Sequence, residues 1–283
     1  MAYLLAASLL WALSFGLMPR VAPLGPAFVA AVRSLLALAV FLPLARPRGL
    51  GLRAGAALAG LGAVQFGLMY VFYTAGFRYL QGSEAALFTV FTPLLVALAG
   101  DALDRTWSWR VLGVAALAAA GTAVCLGAKV RDHGILVGFL LIQASNACFA
   151  LGQVGYRRLA RDLGRPDREL MGLLYAGAAL VTLALALPGL GAVPRPTPAQ
   201  VAILAYLGLA ASGLGFFLFN AGARRTNVGT LAVFNNAKIP LAILAAALVF
   251  GERVAWLRLA AGGSLIAGAL LLAGRTRPGA QRK

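Results

Sequence analysis

Ten runs of about twenty mostly apolar residues fill this chain and leave room for little else. They cover residues 2–20, 26–44, 54–77, 83–103, 108–128, 134–156, 170–188, 199–221, 229–250 and 255–274. A bilayer core is about 30 Å thick, and a helix rises about 1.5 Å per residue, so each run is long enough to cross it. In lipid every backbone polar group must be satisfied within its own segment, which predicts a helix for each run. No gap between runs is long enough for a soluble domain. Composition agrees. The 283 residues are 61% hydrophobic and 12% charged, with mean hydropathy +0.86, too few polar groups to coat a water-facing surface. The first run has no basic leader and is too long for a signal-peptide core, so it is expected to remain as a helix. The expected class is an all-α integral membrane protein with ten transmembrane helices.

The net charge of +17 would suit a nucleic-acid partner if it formed one face. Instead the basic residues sit in short gaps between apolar runs, which reads as membrane topology and not nucleic-acid binding. With ten spans both termini share one side. On that side lie Arg46, Arg48, Arg53, Arg105, Arg110, Arg157, Arg158, Arg161, Arg165, Arg168, Arg224, Arg225, Arg275, Arg277, Arg282 and Lys283. The other side carries Arg20, Arg78, Lys129, Arg131, Arg195, Arg253 and Arg258. The bias predicts that both termini lie in the cytoplasm.

Several chemistries are excluded by residue type. Cys125 and Cys148 lie within apolar runs and His133 is the only histidine, so no metal site or disulfide is expected. There is no GxxxxGK[ST] loop, so the chain itself uses no ATP, and nothing in the sequence calls for an ATP-binding subunit or a cofactor. All eight acidic residues, Glu84, Asp101, Asp104, Asp132, Asp162, Asp167, Glu169 and Glu252, lie at span ends or in loops. A membrane-embedded enzyme needs a nucleophile and base, a metal cluster or paired carboxylates at depth, and none is present. A proton-driven carrier usually holds a carboxylate or histidine at the midplane, so facilitated transport is expected.

The chain also repeats itself. WALSFGLMPR (11–20) resembles FALGQVGYRR (149–158), and placing Pro93 on Pro240 also places Gly82 on Gly229, Trp109 on Trp256 and Gly121 on Gly268. Two halves result, 1–130 and 131–283, each with five spans within one membrane unit. Five is odd, so the second half enters from the opposite side, as in transporters with inverted repeats around a midplane site.

These features resemble the drug/metabolite transporter superfamily in its EamA-type branch. The resemblance rests on two five-span repeats, the WAL…R segment of the first span and Arg33 in AVRSLLAL of the second. It rests too on Pro93 and Pro240 within spans four and nine, and on GE (251–252) after span nine. It covers essentially the whole chain. Asp104-Arg105 departs from it where a second GE is expected, so no role is carried to that position. Within the branch the chain looks most like the YddG-type aromatic amino acid exporters. The resemblance implies a ten-helix basket whose spans three, four, eight and nine, with one and six nearby, line a central cavity. The implied function is export of aromatic and other hydrophobic amino acids by alternating access. Export of drugs or other metabolites, with proton coupling, is the alternative.

Candidate site residues emerge from polarity at depth. Lys238 lies too far inside span nine to reach either surface easily, and a lysine there costs about 2.5–3.5 kcal/mol. Asn235 stands three residues before it on one face. Pro240 cannot donate to the carbonyl of Asn236, which is left free. An ammonium, an amide and a loose carbonyl suit a zwitterion, whose carboxylate would meet Lys238; the structural alternative is a lysine satisfied by neighbouring carbonyls. Under the repeat, Phe88 and Phe91 take the places of Asn235 and Lys238. Gln65, Tyr70 and Tyr73 interrupt span three, Asn146 and Gln143 span six, and Trp11 and Ser14 span one. Span eight brings Ser212, Phe216, Phe217 and Asn220. Of these, Lys238, Asn235, Tyr70, Gln65, Asn146, Phe88, Phe91, Trp11, Phe217 and Asn220 are expected to contact solute. Pro93 and Pro240 are expected to act as hinges. Arg33 is read mainly as structural, binding carbonyls or reaching headgroups, ahead of solute contact. Glu84 could pair with Arg78. The small-residue patterns GLRAG (51–55) and GILVG (134–138) mark candidate close helix contacts.

Overall fold

The computed structural model describes residues 2–104, 133–223 and 241–275, with isolated positions at 109, 113, 116, 117, 120, 121, 124 and 239. Most of the fifth span and the first half of the ninth, with Asn235, Asn236, Lys238 and Pro240, lie outside the described residues. Among those described, seven helices are long and apolar enough to cross a bilayer. They are α1 (Ala2–Leu24), α2 (Pro26–Leu44), α3 (Leu52–Gly76), α4 (Gly82–Ala102), α5 (His133–Leu163), α6 (Asp167–Ala192) and α7 (Pro198–Gly222). Helix α8 comes next at 241–248 and α9 at Trp256–Arg275. No strand occurs among the described residues.

Local chemistry sets the helix starts. Pro26 opens α2 after Gly25, whose φ of 99° turns the chain out of α1. Gln81 and Glu84 form a capping box at the start of α4, and Thr197 and Gln200 form one at α7. Glu84 thus turns back to the Gln81 amide, 3.0 Å away. Asp167 and Glu169 place negative charge in the first turn of α6, where the helix dipole favours it.

The seven helices pack as a closed ring in the order α1, α4, α5, α3, α6, α2, α7 and back to α1. Small residues bring two members of that ring together. A side chain on Gly62 would strike the Leu174 carbonyl, and one on Gly177 would strike the Ala59 carbonyl, so α3 and α6 meet backbone to backbone. Of the small-residue patterns in the sequence, Gly51 and Gly55 face open space, while Gly138 packs on the Leu80 side chain and its carbonyl lies 3.6 Å from where a side chain on Gly76 would begin. Leu180 on α6 and Leu248 on α8 are each 74% exposed, as lipid-facing side chains are.

Two helices widen into π-helical turns, Ala63–Leu68 in α3 and Tyr206–Leu214 in α7. In the second, Ser212 Oγ donates to the Leu207 carbonyl five residues back, 2.7 Å away. Such turns put an extra residue into the helix and re-aim the side chains of the next turn, and they recur at functional sites.

Candidate functional site

The ring encloses a cleft of about 540 Å³, counting its open mouth. Helix α1 contributes Trp11, Ser14 and Phe15 to its wall, α2 Arg33, and α3 Met69, Tyr70 and Tyr73. Helix α4 adds Thr89 and Thr92, α5 adds Ser145, Asn146 and Phe149, and α7 adds Phe216.

The polar side of this wall is built by a break in α4. Pro93 has no N–H for the Thr89 carbonyl, and the chain tightens into a 3₁₀ turn over Thr89–Phe91. The Thr92 amide turns to the Thr89 carbonyl, which deprives the Phe88 carbonyl of its helical donor. Two amides of α5 replace it: Gln143 Nε2 at 3.1 Å and Asn146 Nδ2 at 3.2 Å. Asn146 also accepts from Thr92 Oγ1 at 3.2 Å, and Ser145 Oγ donates to the Met69 carbonyl at 3.0 Å. The break is therefore satisfied by two side chains of α5, one of which, Asn146, itself borders the cleft. Interrupted helices of this kind border solute sites in transporters.

The opposite side is aromatic. Trp11 Nε1 donates to the Ala211 carbonyl in the π-helical turn of α7, 2.9 Å away, and fixes the indole 4.8 Å from Phe216 between ring centroids. Phe149 lies 5.8 Å from Phe216. Behind this layer Phe66 packs 4.9 Å from Phe216 and stacks on Tyr175 at 4.7 Å. The Tyr175 hydroxyl donates to the Ser212 carbonyl at 2.8 Å.

Arg33 joins the two sides. It is 3% exposed, and its guanidinium carbon lies 3.9 Å from the centroid of the Tyr70 ring. Its Nε donates to Ser212 Oγ at 3.1 Å, and one terminal nitrogen reaches Met18 Sδ at 3.4 Å. Neither partner carries charge, and among the described residues no carboxylate pairs with it. The sequence suggested backbone carbonyls or headgroups as its partners. The structure instead puts Arg33 on the cleft wall, held by a hydroxyl, a thioether and an aromatic face.

Of the other expected site residues, Trp11, Tyr70 and Asn146 come together on this wall. Gln65 is buried one turn further along α3, and its amide has no hydrogen-bond partner. Phe88 and Phe91 pack on Phe139, at 5.0 and 5.9 Å, away from the cleft. Phe217 packs on Phe41 at 5.7 Å, and Phe216 takes the wall position instead. Asn220 reaches the Met171 sulfur at 3.6 Å. Pro93 stands directly after the break in α4, while Asn235, Lys238 and Pro240 are outside the described residues. Thr89, Thr92, Ser145, Phe149 and Met69 were not singled out from sequence. The signal for the threonines was Pro93 itself, since a proline unsettles the turn before it.

Comparison with known proteins places this architecture. A model of the EamA-like transporter family matches residues 1–127 and 136–274. The chain is 40% identical over 281 residues to a probable biotin transporter of Pseudomonas aeruginosa, covering 95% of this chain and 96% of that one. It is 36% identical over 274 residues to a biotin transporter of Salmonella typhimurium, covering 95% and 91%. It is 31% identical over 193 residues to the aromatic amino acid exporter YddG of Ancylobacter novellus, covering 65% and 64%. A solved crystal structure with 22% identity superimposes with a TM-score of 0.65 over 96% of both chains, a likeness of fold. Two stretches spanning nearly the whole chain match one family of membrane transporters, and the chain belongs to the EamA-like transporter family of the drug/metabolite transporter superfamily.

Proposed function

We propose that this transporter carries a small carboxylate with an apolar ring body, biotin or a close analogue, by alternating access. The carrying observation is Arg33: a buried cation on the wall of the cleft that no described carboxylate neutralises. A charge at membrane depth costs about 2.5–3.5 kcal/mol on insertion scales, and a solute carboxylate offsets that cost only while bound. Biotin supplies a carboxylate for Arg33, a sulfur ring for the aromatic side, and a ureido group for the hydroxyls and amide of Thr92, Ser145 and Asn146. The names of the two relatives matched over nearly the full chain support this choice over an amino acid.

The test is uptake of labelled biotin into proteoliposomes, with unlabelled biotin and biotinamide as competitors. Biotin competes and biotinamide, which lacks the carboxylate, does not. Equal competition by both removes Arg33 from solute recognition, and absence of biotin uptake removes the substrate.

A second reading, export of aromatic amino acids, draws on the aromatic half of the cleft and on the YddG relative. It assigns the amino acid carboxylate to Lys238, with Asn235 beside it. Under it, Lys238→Met abolishes phenylalanine transport in a protein that still inserts and purifies as one species. In either case no acidic side chain lines the cleft among the described residues, so the solute's own gradient is the proposed driving force. A pH difference imposed without a solute gradient then produces no accumulation. The proposed setting is the bacterial inner membrane, with both termini cytoplasmic.

A further inference from the structure

At one end of the cleft, Glu252 bridges two parts of the chain that are far apart in sequence. Its Oε1 accepts the Gly82 amide at 2.9 Å, and its Oε2 accepts the Ser83 amide at 3.0 Å and Ser83 Oγ at 2.6 Å. These donors begin α4, where unsatisfied amides and the helix dipole favour a negative charge. Hydrogen bonds to an ionised acceptor are about twice as strong as neutral ones. The approach is tight. A side chain on Gly82 would lie 2.8 Å from the Phe15 carbonyl and 2.9 Å from Glu252 Oε1, so only glycine admits this contact. Gly251, with φ of 70°, turns the chain at the end of α8 into it. Next to it, Arg20 at the end of α1 lies over the Phe250 ring at 5.1 Å, and that ring fills the space above Gly16.

Two of the elements that meet at this contact, α1 and α4, line the cleft. Phe15 lines it, and Thr89 and Thr92 line it starting about 9 Å below Ser83 on the same helix. Glu252 belongs to the second of the two matched stretches, and Gly82 and Ser83 to the first. If the halves rock against each other, as alternating access requires, a bond between them at one face must be made in one state and broken in the other.

We propose that Glu252 is the positioning residue that closes this end of the cleft: its carboxylate docks the start of α4, and transport requires that contact to open and reform. The proposal rests on the alternating-access reading but on no particular substrate. Removing the carboxylate shifts the protein toward the state open at this face, and a conservative glutamine retains one acceptor oxygen.

The experiment reads accessibility without substrate. In a background with Cys125 and Cys148 replaced by serine, Ser14→Cys places a thiol on the cleft wall. An impermeant maleimide is applied from the face where α4 begins, in right-side-out and inside-out vesicles. Glu252→Ala and Gly82→Ala accelerate labelling from that face by about tenfold, the response to a tenfold shift in the two-state equilibrium. Glu252→Gln, chosen because it keeps an acceptor and the side-chain volume, gives an intermediate rate and a slowed transport cycle. Unchanged labelling in both Glu252 variants overturns the proposal, whether or not biotin proves to be the solute. Faster labelling with no biotin transport leaves the gate standing and removes only the substrate.

Discussion

The guanidinium carbon of Arg33, on α2, lies over the ring of Tyr70, on α3, 3.9 Å from its centroid. A planar, delocalised cation can sit over the ring while its Nε donates to Ser212, and an ammonium cannot do both. Arg33→Lys therefore keeps the charge but loosens its position. The expected outcome is a KM raised by about tenfold with the transport rate largely retained, whereas Arg33→Met lowers uptake by about a hundredfold, the scale of one charge-assisted pair. Initial-rate uptake across a concentration series checks both. An unaltered KM in Arg33→Lys would return the residue to a purely structural role.

Gln65 gives a prediction in the opposite sense for stability. Both atoms of its amide are buried without a hydrogen bond, a condition that costs about 1–3 kcal/mol. Gln65→Leu removes the unpaired atoms and nearly preserves shape. Its melting temperature in detergent is expected to rise by a few degrees. If the amide also serves passing solute, affinity falls in the same variant. An unchanged affinity takes Gln65 off the path.

The seam between α3 and α6 admits no side chain at Gly62 or Gly177. Gly177→Val drives methyl groups into the Ala59 carbonyl and separates the two helices. The expected loss is about 3 kcal/mol or more, seen as a lowered melting temperature and a reduced yield of folded protein. Gly55→Val, in open space on α3, serves as the control and melts close to the parent.

Topology is checked by two single cysteines. Placed beside Arg161 and beside Arg195, in a background without the native thiols, they are expected to differ in intact cells. Charge bias puts the first in the cytoplasm and the second outside, so an impermeant reagent labels only the second. Labelling of the first reverses the assignment.

Much of this organisation was legible in the apolar runs, because a bilayer imposes length and composition on every helix that crosses it. The limits lay where the rule stops applying. Helix α5 continues to Leu163, well past the apolar run that ends near 156. The added turns, RRLARDL, are charged and leave the apolar pattern while staying helical. Facing was harder to read than depth. Arg33 was visible as a buried cation, but nothing in AVRSLLAL says whether it looks into the bundle or along it. Phe216 displaced Phe217 at the wall because the π-helical turn before them shifts the phase of α7, and no composition marks such a turn. Phe88 matters through its carbonyl and not its ring, a role that a side-chain reading cannot assign. Trp11, Tyr70 and Asn146 were found because large or polar side chains within apolar helices have few places to go except inward.

Trp11 carries one more consequence. Trp109 and Trp256 are exposed, at 76% and 56%, while Trp11 is buried on the cleft wall with its indole nitrogen already hydrogen-bonded. Its emission is thereby set by a surrounding of phenylalanine rings and by whatever occupies the space in front of it. With Trp107, Trp109 and Trp256 changed to phenylalanine, Trp11 is the only tryptophan left in the chain. Intrinsic fluorescence then becomes an optical readout of occupancy that needs neither a label nor a sealed vesicle. If biotin is the solute proposed above, titrating it into detergent-solubilised protein is expected to shift or quench the Trp11 signal, separating binding from the movement that carries the solute across.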